Sequence, residues 1–257
     1  MADDNKQGVV GLIAESTKET RNTLDKRVAG GVNKFFDLLG ATPVARKMSL
    51  YIEEAPYKLE QSRKKMQEKY EQIPVENRVE PNPRIALNVA NEFNYCLDEE
   101  HIKEMFTNIL ISDMDKTKKS NVLPSFIEIV KQLSKADAEF LKFFKDNKMI
   151  EDLPVIMLRY DFNSGGYVEV SNNIVISRDK KVYPINPVVL DNLIRLRIVE
   201  IPHGVFLKSF KGYEEAFDKV KVLPEFSVVP PDATLSFEKK KLCFTKYGKK
   251  FINICLS

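Results

Sequence analysis

A chain of 257 residues with 43% apolar side chains is long enough to bury a core, and its length suggests one large or two small domains. Its 40 Lys and Arg nearly balance 37 Asp and Glu, so the net charge of +3 excludes a global field that would attract nucleic acid or a membrane. No run of about 18 apolar residues occurs, and the acidic start MADDNKQ is unlike a signal peptide. The three cysteines, Cys96, Cys243 and Cys255, are odd in number and far apart, as is typical of a reducing compartment. We therefore expect a cytoplasmic chain that reaches a membrane only through an amphipathic segment.

The first segment, residues 1–41, carries an apolar stripe at three- and four-residue steps, which predicts a helix. The pair Gly30-Gly31 predicts a break, a kink or the close approach of another backbone. Because the polar face is only weakly basic, the pattern favours a helix packed on its own domain or on a sister chain over an interfacial membrane helix. The candidates for self-association or membrane contact lie at its wide apolar end: Leu24, Val28, Gly30, Gly31, Val32, Phe35, Phe36, Leu38 and Leu39.

Residues 42–133 predict a helical domain. Thr42-Pro43 is typical of a helix start, and the highly charged segment after Pro56 predicts a second, solvated helix. The three prolines of PVENRVEPNP predict an extended linker, after which Asn82 and Asp98 are expected to cap two further helices. Pro124 predicts another helix start. The loop with Asp113 and Asp115 lacks a third acid at calcium-loop spacing, so we expect a solvated capping loop and no metal.

From residue 134 to residue 257 the sequence carries strand signals as well as helix signals. Ser134 and Asp137 predict a capping box, and VIMLRY and YVEV predict strands joined by the turn NSGG. NIVIS, IVEI, LSFE and KLCFT predict further strands, and the segment between residues 213 and 220 predicts a short helix. Asn186 and Thr245 are expected to cap helices, the second of them at the end of the chain.

This order of elements is similar to a winged-helix module, in which LSKADAEFLKFF is the first helix, PVVLDNLIRLRIVEI is the recognition-helix equivalent and a hairpin ending in FEKKKLCFTKYG is the wing. Winged helices often bind DNA, but the recognition-helix equivalent offers few donors able to read base edges. We therefore rank protein contact or a structural role ahead of nucleic acid. The candidates for a nucleic-acid or partner surface are Arg195, Arg197, Lys239, Lys240, Lys241, Lys246, Lys249 and Lys250.

No motif in the sequence predicts catalysis. Neither His101 nor His203 has a cysteine or carboxylate at zinc-ligand spacing, and Cys243 and Cys255 are predicted to be buried thiols. A Cys-His pair from distant positions stays open, because such partners need not be neighbours in sequence. The sequence therefore predicts no catalytic residue, no cofactor and no metal, and a protein that is not an enzyme.

A wider pattern resembles a known family. The segments EMFTNILISDMD, LPSFIEIVKQLSKADAEFLKFF, NLIRLRIVEI and LCFTKYGKKFINIC occur in the order of the bacterial abortive infection alpha family, and the linker IPVENRVEPNPRIA fits the same pattern. The resemblance covers roughly residues 59–255 and leaves the N-terminal segment outside it. It implies a role in defence against bacteriophage, in which the infected cell is killed or arrested before phage mature.

Together these observations predict an α+β fold, mainly α, with a helical half followed by a winged-helix-like half. The leading hypothesis is a non-enzymatic effector that senses infection through a phage protein, forms a homo-oligomer and damages the cell, with its N-terminal segment as the membrane-contacting part. The alternatives are a winged-helix nucleic-acid binder and a hydrolase whose site the sequence does not reveal.

Overall fold

The computed structural model describes residues 31–42, 54–170, 173–226 and 228–256. These ranges hold nine α-helices and a six-stranded antiparallel sheet, so the prediction of an α+β fold that is mainly α is confirmed. The chain divides into two compact units, one up to residue 132 and one from 133 to 256. Helices build the first unit, and the second contains the whole sheet.

The first unit contains five helices within the described residues. They are α1 at residues 31–41, α2 at Ala55–Glu71, α3 at Pro83–Phe93, α4 at Glu100–Asp113 and α5 at Pro124–Val130. The helix predicted to start at Thr42-Pro43 falls on residues 43–53, outside the described residues. Helix α4 is buried on most of its surface and lies at the centre of this unit.

In this unit the helix starts predicted at Asn82 and Pro124 are confirmed, and the cap predicted at Asp98 is wrong. The Asn82 side chain accepts a hydrogen bond from the Arg84 amide at the start of α3, and Pro124 opens α5. Asp98 does not cap α4, which begins at Glu100 without a side-chain cap. Its carboxylate instead accepts a hydrogen bond from Lys58 of α2 at 2.6 Å, because an ammonium group from another helix lies within reach.

The loop after α4 also differs from the prediction, because Asp113 and Asp115 are buried rather than solvated. Contrary to the prediction, the linker at residues 74–82 is not extended throughout, because Val75–Asn77 form a 3₁₀ turn. It runs along this loop and supplies backbone donors to it. The Asn82 amide donates to the Asp113 carboxylate, and the Val79 amide donates to the Met114 carbonyl at 2.9 Å. Burial raises the pKa of Asp113, and the hydrogen bond from Asn82 opposes that rise.

The second unit begins with α6 at Lys135–Asp146. Its strands are β1 at Leu153–Phe162, β2 at Tyr167–Glu169, β3 at Ile174–Ile176, β4 at Val182–Pro184, β5 at Val199–Glu200 and β6 at Ala233–Phe244. Helix α7 spans Pro187–Arg195, α8 spans Tyr213–Val220 and α9 spans Lys246–Cys255. The capping box of Ser134 with Asp137 and the caps at Asn186 and Thr245 are confirmed.

The strands run in the order β4-β3-β1-β6-β5, and β2 pairs with the far end of β1. The predicted strands LSFE and KLCFT form one strand, β6, which pairs with β1 along ten residues from Leu153 opposite Leu242 to Phe162 opposite Ala233. The prediction of a local wing hairpin ending in FEKKKLCFT is therefore wrong. The long partner of β6 is β1, which lies some 80 residues earlier and buries its first six residues, as a solvent-facing wing would not do, whereas β5 pairs only with the last two residues of β6.

The two faces of the sheet are covered by different helices. Ile156, Leu158 and Phe237 share one face, where α8 packs with Tyr213, Ala216 and Val220. On the other face the Phe143 ring of α6 contacts Tyr183, with ring centroids 5.2 Å apart. Helix α9 lies against the turn between α7 and β5, where the Thr245 hydroxyl donates to the Arg197 carbonyl at 2.6 Å.

Candidate functional site

Helix α1 holds six of the nine residues predicted for self-association or membrane contact. Leu24, Val28 and Gly30 lie outside the described residues. The side chains of Val32, Phe35 and Leu39 are at most 2% exposed, whereas Phe36 and Leu38 are half-buried. The apolar stripe therefore forms part of the core of its own unit. The weakly basic polar face favours packing on the chain's own domain or on a sister chain over a membrane, and the structure shows the first of these two.

Aromatic contacts dock α1 on α3. The Phe35 ring meets Phe93 edge to face with centroids 6.0 Å apart, and Phe36 meets the same ring at 6.5 Å. Gly31 lies against Met114, whose Cε would be 2.6 Å from a Cβ at that position. The prediction that a small residue here permits close approach fits this contact, although the approaching group is a side chain rather than a backbone.

Polar contacts fix the two ends of α1. At its C-terminal end the buried Asn94 amide donates to the Thr42 hydroxyl at 3.0 Å and to the Leu39 carbonyl at 3.4 Å. Near its N-terminal end Lys34 pairs with Glu80 at 3.3 Å, and both side chains are about two-thirds exposed. Exposed pairs of this kind contribute about 0.2–1 kcal/mol, so they orient the helix more than they hold it.

A cavity of about 140 Å³ remains beneath α1, between the helix and the linker. It is lined by Phe35 and Leu38 of α1 and by Glu80, Pro81 and Ala86 opposite them. The space is partly open to solvent and is also lined by Lys34 and Glu80, so its apolar walls do not contact each other. The docking of α1 is therefore less complete here than at the Phe35–Phe93 contact.

The predicted basic candidates of the second unit do not form one free patch. Lys239 pairs with Glu214 at 2.5 Å, and Lys241 pairs with Asp152 at 2.8 Å. These hydrogen bonds raise the pKa of Lys241 and lower the pKa values of Asp152 and Glu214. Two of the three consecutive lysines are thus neutralised by carboxylates on other elements, which leaves less charge for a phosphate backbone.

The remaining basic candidates lie on separate elements. The Lys240 ammonium lies 3.0 Å from the Met157 sulfur, on the sheet face opposite Lys239. Arg195 donates to Asn192 at 2.7 Å, and Arg197 takes a left-handed conformation in the turn after α7. Lys246, Lys249 and Lys250 belong to α9. That these residues form a nucleic-acid surface stays a prediction. The ion pairs of Lys239 and Lys241 disfavour it.

A charged groove between α2 and α4 was missed by sequence reasoning. Glu100 accepts hydrogen bonds from Lys65 at 2.6 Å and from the nearly buried Lys103 at 2.7 Å, and these two lysines hold the pKa of Glu100 at about 2. Lys69 continues the row by donating to the buried Asn108 at 2.6 Å. Two adjoining cavities of about 290 and 410 Å³ follow this row of charges.

A signal for this groove was present in the sequence. Lys58, Lys65 and Lys69 recur at seven and four residues along α2, which places them on one face of a helix. Within α2 alone, these charges predict only a solvated helix. Their actual partners belong to the start of α4, and only the fold brings those carboxylates near.

The potential nucleophiles are held in unreactive states. Cys96, Cys243 and Cys255 are buried and form no disulfide, as predicted for core thiols. Burial raises the pKa of Cys96 to about 12 and also raises the pKa values of the other two thiols. His203 is exposed, and His101 lies half-buried in the first turn of α4. Among the described residues, no group of three or more His, Cys, Asp or Glu side chains is arranged to hold a metal ion.

Over the described part of the chain, no helix combines the length and the apolar character needed to span a bilayer. Comparison with protein families gives one match, in which the model of the family described as abortive infection alpha matches residues 54–255. No curated protein and no solved structure gives a significant match.

Proposed function

Because the chain belongs to the abortive infection alpha family, we propose that it is a non-enzymatic anti-phage effector that senses infection, self-associates and stops the host cell. The match over residues 54–255 is the observation that carries the defence role, since it spans both structural units. The raised pKa values of the buried thiols support a mechanism without a cysteine nucleophile. The trigger we propose is a phage protein.

The docking of α1 supports a specific mode of action. Its apolar face meets Phe93, so neither a membrane nor a sister chain can reach Val32, Phe35 or Leu39 while α1 is docked. Burial of three large apolar side chains contributes roughly 5–8 kcal/mol before the entropy of ordering the helix is subtracted, and this contribution opposes the release of α1 without a trigger. Binding of the trigger would favour the released state, in which the same face is free for self-association or membrane contact.

The defence role is tested by phage challenge of bacteria that express the chain. The proposal predicts fewer plaques than in cells with an empty vector, and rare phage that escape. Sequencing of the escape phage should find changes in one phage protein. That protein would be identified as the trigger. Equal plaque numbers in the two strains would overturn the defence role, and escape changes confined to host-entry genes would overturn sensing by the folded chain.

The release of α1 is tested by charge reversal at its exposed ion pair. Lys34→Glu places two carboxylates together and should increase the population with α1 released, whereas Lys34→Glu with Glu80→Lys restores the pair. We expect more self-association in sedimentation, or faster vesicle leakage, for the single variant and a return to wild-type behaviour for the double variant. Leakage and self-association that persist when Phe35→Ser and Phe36→Ser are added would contradict a role for this face.

A further inference from the structure

The loop between β5 and α8, residues 201–212, combines apolar and basic exposure without an acidic side chain. Val205 and Phe206 are 41% and 39% exposed, although side chains of this kind are more often buried. His203, Lys208 and Lys211 flank them and are exposed as well. Within the residues that the structure describes, neither Lys208 nor Lys211 has a carboxylate within ion-pair distance, unlike Lys239 and Lys241.

Two consecutive turns present these residues. The Val205 amide donates to the Pro202 carbonyl at 3.4 Å, and Gly204 takes the left-handed conformation that this turn requires. The Phe210 amide then donates to the Leu207 carbonyl at 3.1 Å, which places Lys208 at the second corner. The apolar pair therefore lies between the two turns, and the first lysine lies at the corner of the second.

Tyr213 holds the loop in this conformation. Its buried hydroxyl accepts a hydrogen bond from the Leu207 amide at 3.0 Å and donates to the Lys240 carbonyl of β6 at 3.2 Å. Its ring meets Phe206 and Phe210 edge to face, with centroids 6.2 and 5.1 Å away. The loop is thus preorganised, and binding through it would require little additional ordering.

We propose that this loop is a peripheral docking site for an anionic lipid surface. Exposed apolar side chains enter the headgroup region, and unpaired lysines beside them are attracted to anionic headgroups, by about 1 kcal/mol per lysine near the surface. The nearest acids in sequence are Glu200, which precedes the loop, and Glu214, which pairs with Lys239 and feels the charge of Lys211 without forming an ion pair with it. A lipid surface is favoured over nucleic acid because the exposed apolar pair offers nothing to a phosphate backbone, whereas a bilayer interface accepts it.

Co-sedimentation of the full chain with vesicles tests the site. Binding is expected to vesicles of phosphatidylcholine with phosphatidylglycerol and to be much weaker with phosphatidylcholine alone. Lys208→Gln with Lys211→Gln should weaken the partition roughly 30-fold, from two lysines near the surface. Val205→Ser with Phe206→Ser should also weaken it. The matched control is Lys116→Gln with Lys118→Gln, which removes two exposed lysines from the first unit and should leave binding unchanged.

Absence of binding to anionic vesicles, or equal weakening by the control variant, would overturn the site. So would binding to single-stranded nucleic acid that the loop lysines control while vesicle binding stays unaffected. Because this site belongs to the second unit, its failure leaves the release of α1 untouched. A chain that fails to protect cells from phage but still binds vesicles through the loop would instead contradict the defence role.

Discussion

Gly248 is a position where one added carbon atom has a large predicted effect. A Cβ there would lie 2.0 Å from the carbonyl oxygen of Ile198, so α9 can approach the turn before β5 only with glycine at this point. We predict that Gly248→Ala destabilises the chain by more than about 3 kcal/mol, because the clashing atom is backbone and cannot rotate away. Urea unfolding would measure the change.

The control for that substitution is Gly40→Ala in the last turn of α1. A Cβ at Gly40 meets no atom within 4 Å, and its backbone is not left-handed. We expect the stability of this variant to stay within about 0.5–1 kcal/mol of wild type. Similar losses for both glycines would show that general helix propensity, rather than the contact with Ile198, decides the effect.

Glu100 gives a prediction about pH. Lys103 and Lys65 lower the pKa of Glu100 to about 2 in the folded chain, below its ordinary value of 4.5. A lowered folded-state pKa stabilises the fold above the ordinary value, and the contribution is lost as the pH falls through the folded value. Glu100→Gln should therefore lower the urea midpoint at pH 7, and the difference from wild type should shrink between about pH 4.5 and 2.

The exposed carboxylate Glu60 on α2 offers a matched control, because Glu60→Gln removes the same charge away from the groove. Its effect on the midpoint should be small at every pH. If the two variants behave alike, the ion pairs between α2 and α4 contribute nothing measurable, as is common for exposed pairs.

At the scale of the elements, α1 is docked incompletely, and this predicts a variant that docks it better. Ala86 of α3 lines the cavity of about 140 Å³ together with Phe35 and Leu38. Ala86→Leu should fill part of that space and stabilise the docked helix by about 0.5–2 kcal/mol. Hydrogen exchange of the amides of residues 31–42 would then slow by a similar free energy, and the protein should respond less readily to its trigger.

The same substitution at Ala136, which is exposed on α6, separates docking from helix propensity. Ala136→Leu should leave hydrogen exchange in α1 unchanged. Faster exchange of α1 in Ala86→Leu would mean that leucine overpacks the cavity and would contradict the account of the docking contact.

Elements with a local chemical signal could be predicted from the sequence. Asn82, Ser134 and Thr245 each cap a helix because the side chain needs only an amide two or three residues away. Asp98 was predicted as a cap on the same ground, and the prediction was wrong because Lys58 of another helix takes the carboxylate. A local pattern cannot show a competing partner 40 residues away.

The strand pairings of the sheet also show that a local sequence pattern does not reveal a distant partner. The turn NSGG predicted the pairing of β1 with β2, which share a hairpin. The pairing of β1 with β6 was not predicted, because these strands lie far apart in sequence and their pairing is fixed by the burial of a whole face rather than by a turn. The short strand β4 was not predicted either, although it forms a hairpin with β3 through the turn at residues 177–181. For the candidate site, periodicity identified the apolar face of α1, whereas only the structure placed Phe93 against it.

At the scale of the whole molecule, the proposal of an effector controlled by contacts rather than by chemistry is based on three features. Burial raises the pKa values of the thiols, Lys239 and Lys241 of β6 are engaged by carboxylates, and the apolar face of α1 is covered. Surfaces that remain exposed, such as the loop at residues 201–212, are suited to binding. We propose that the protein acts by exposing a surface. Its membership of the abortive infection alpha family indicates that this action serves defence against phage.

The survival of infected cells tests the abortive role most directly. Bacteria that express the chain are infected with more than one phage per cell, and viable cells and released phage are counted before the burst time of the control culture. The account predicts that infected cells stop growing or die within that interval and release few phage. Infected cells that survive, divide and clear the phage would contradict abortive infection, because the chain would then protect the individual cell.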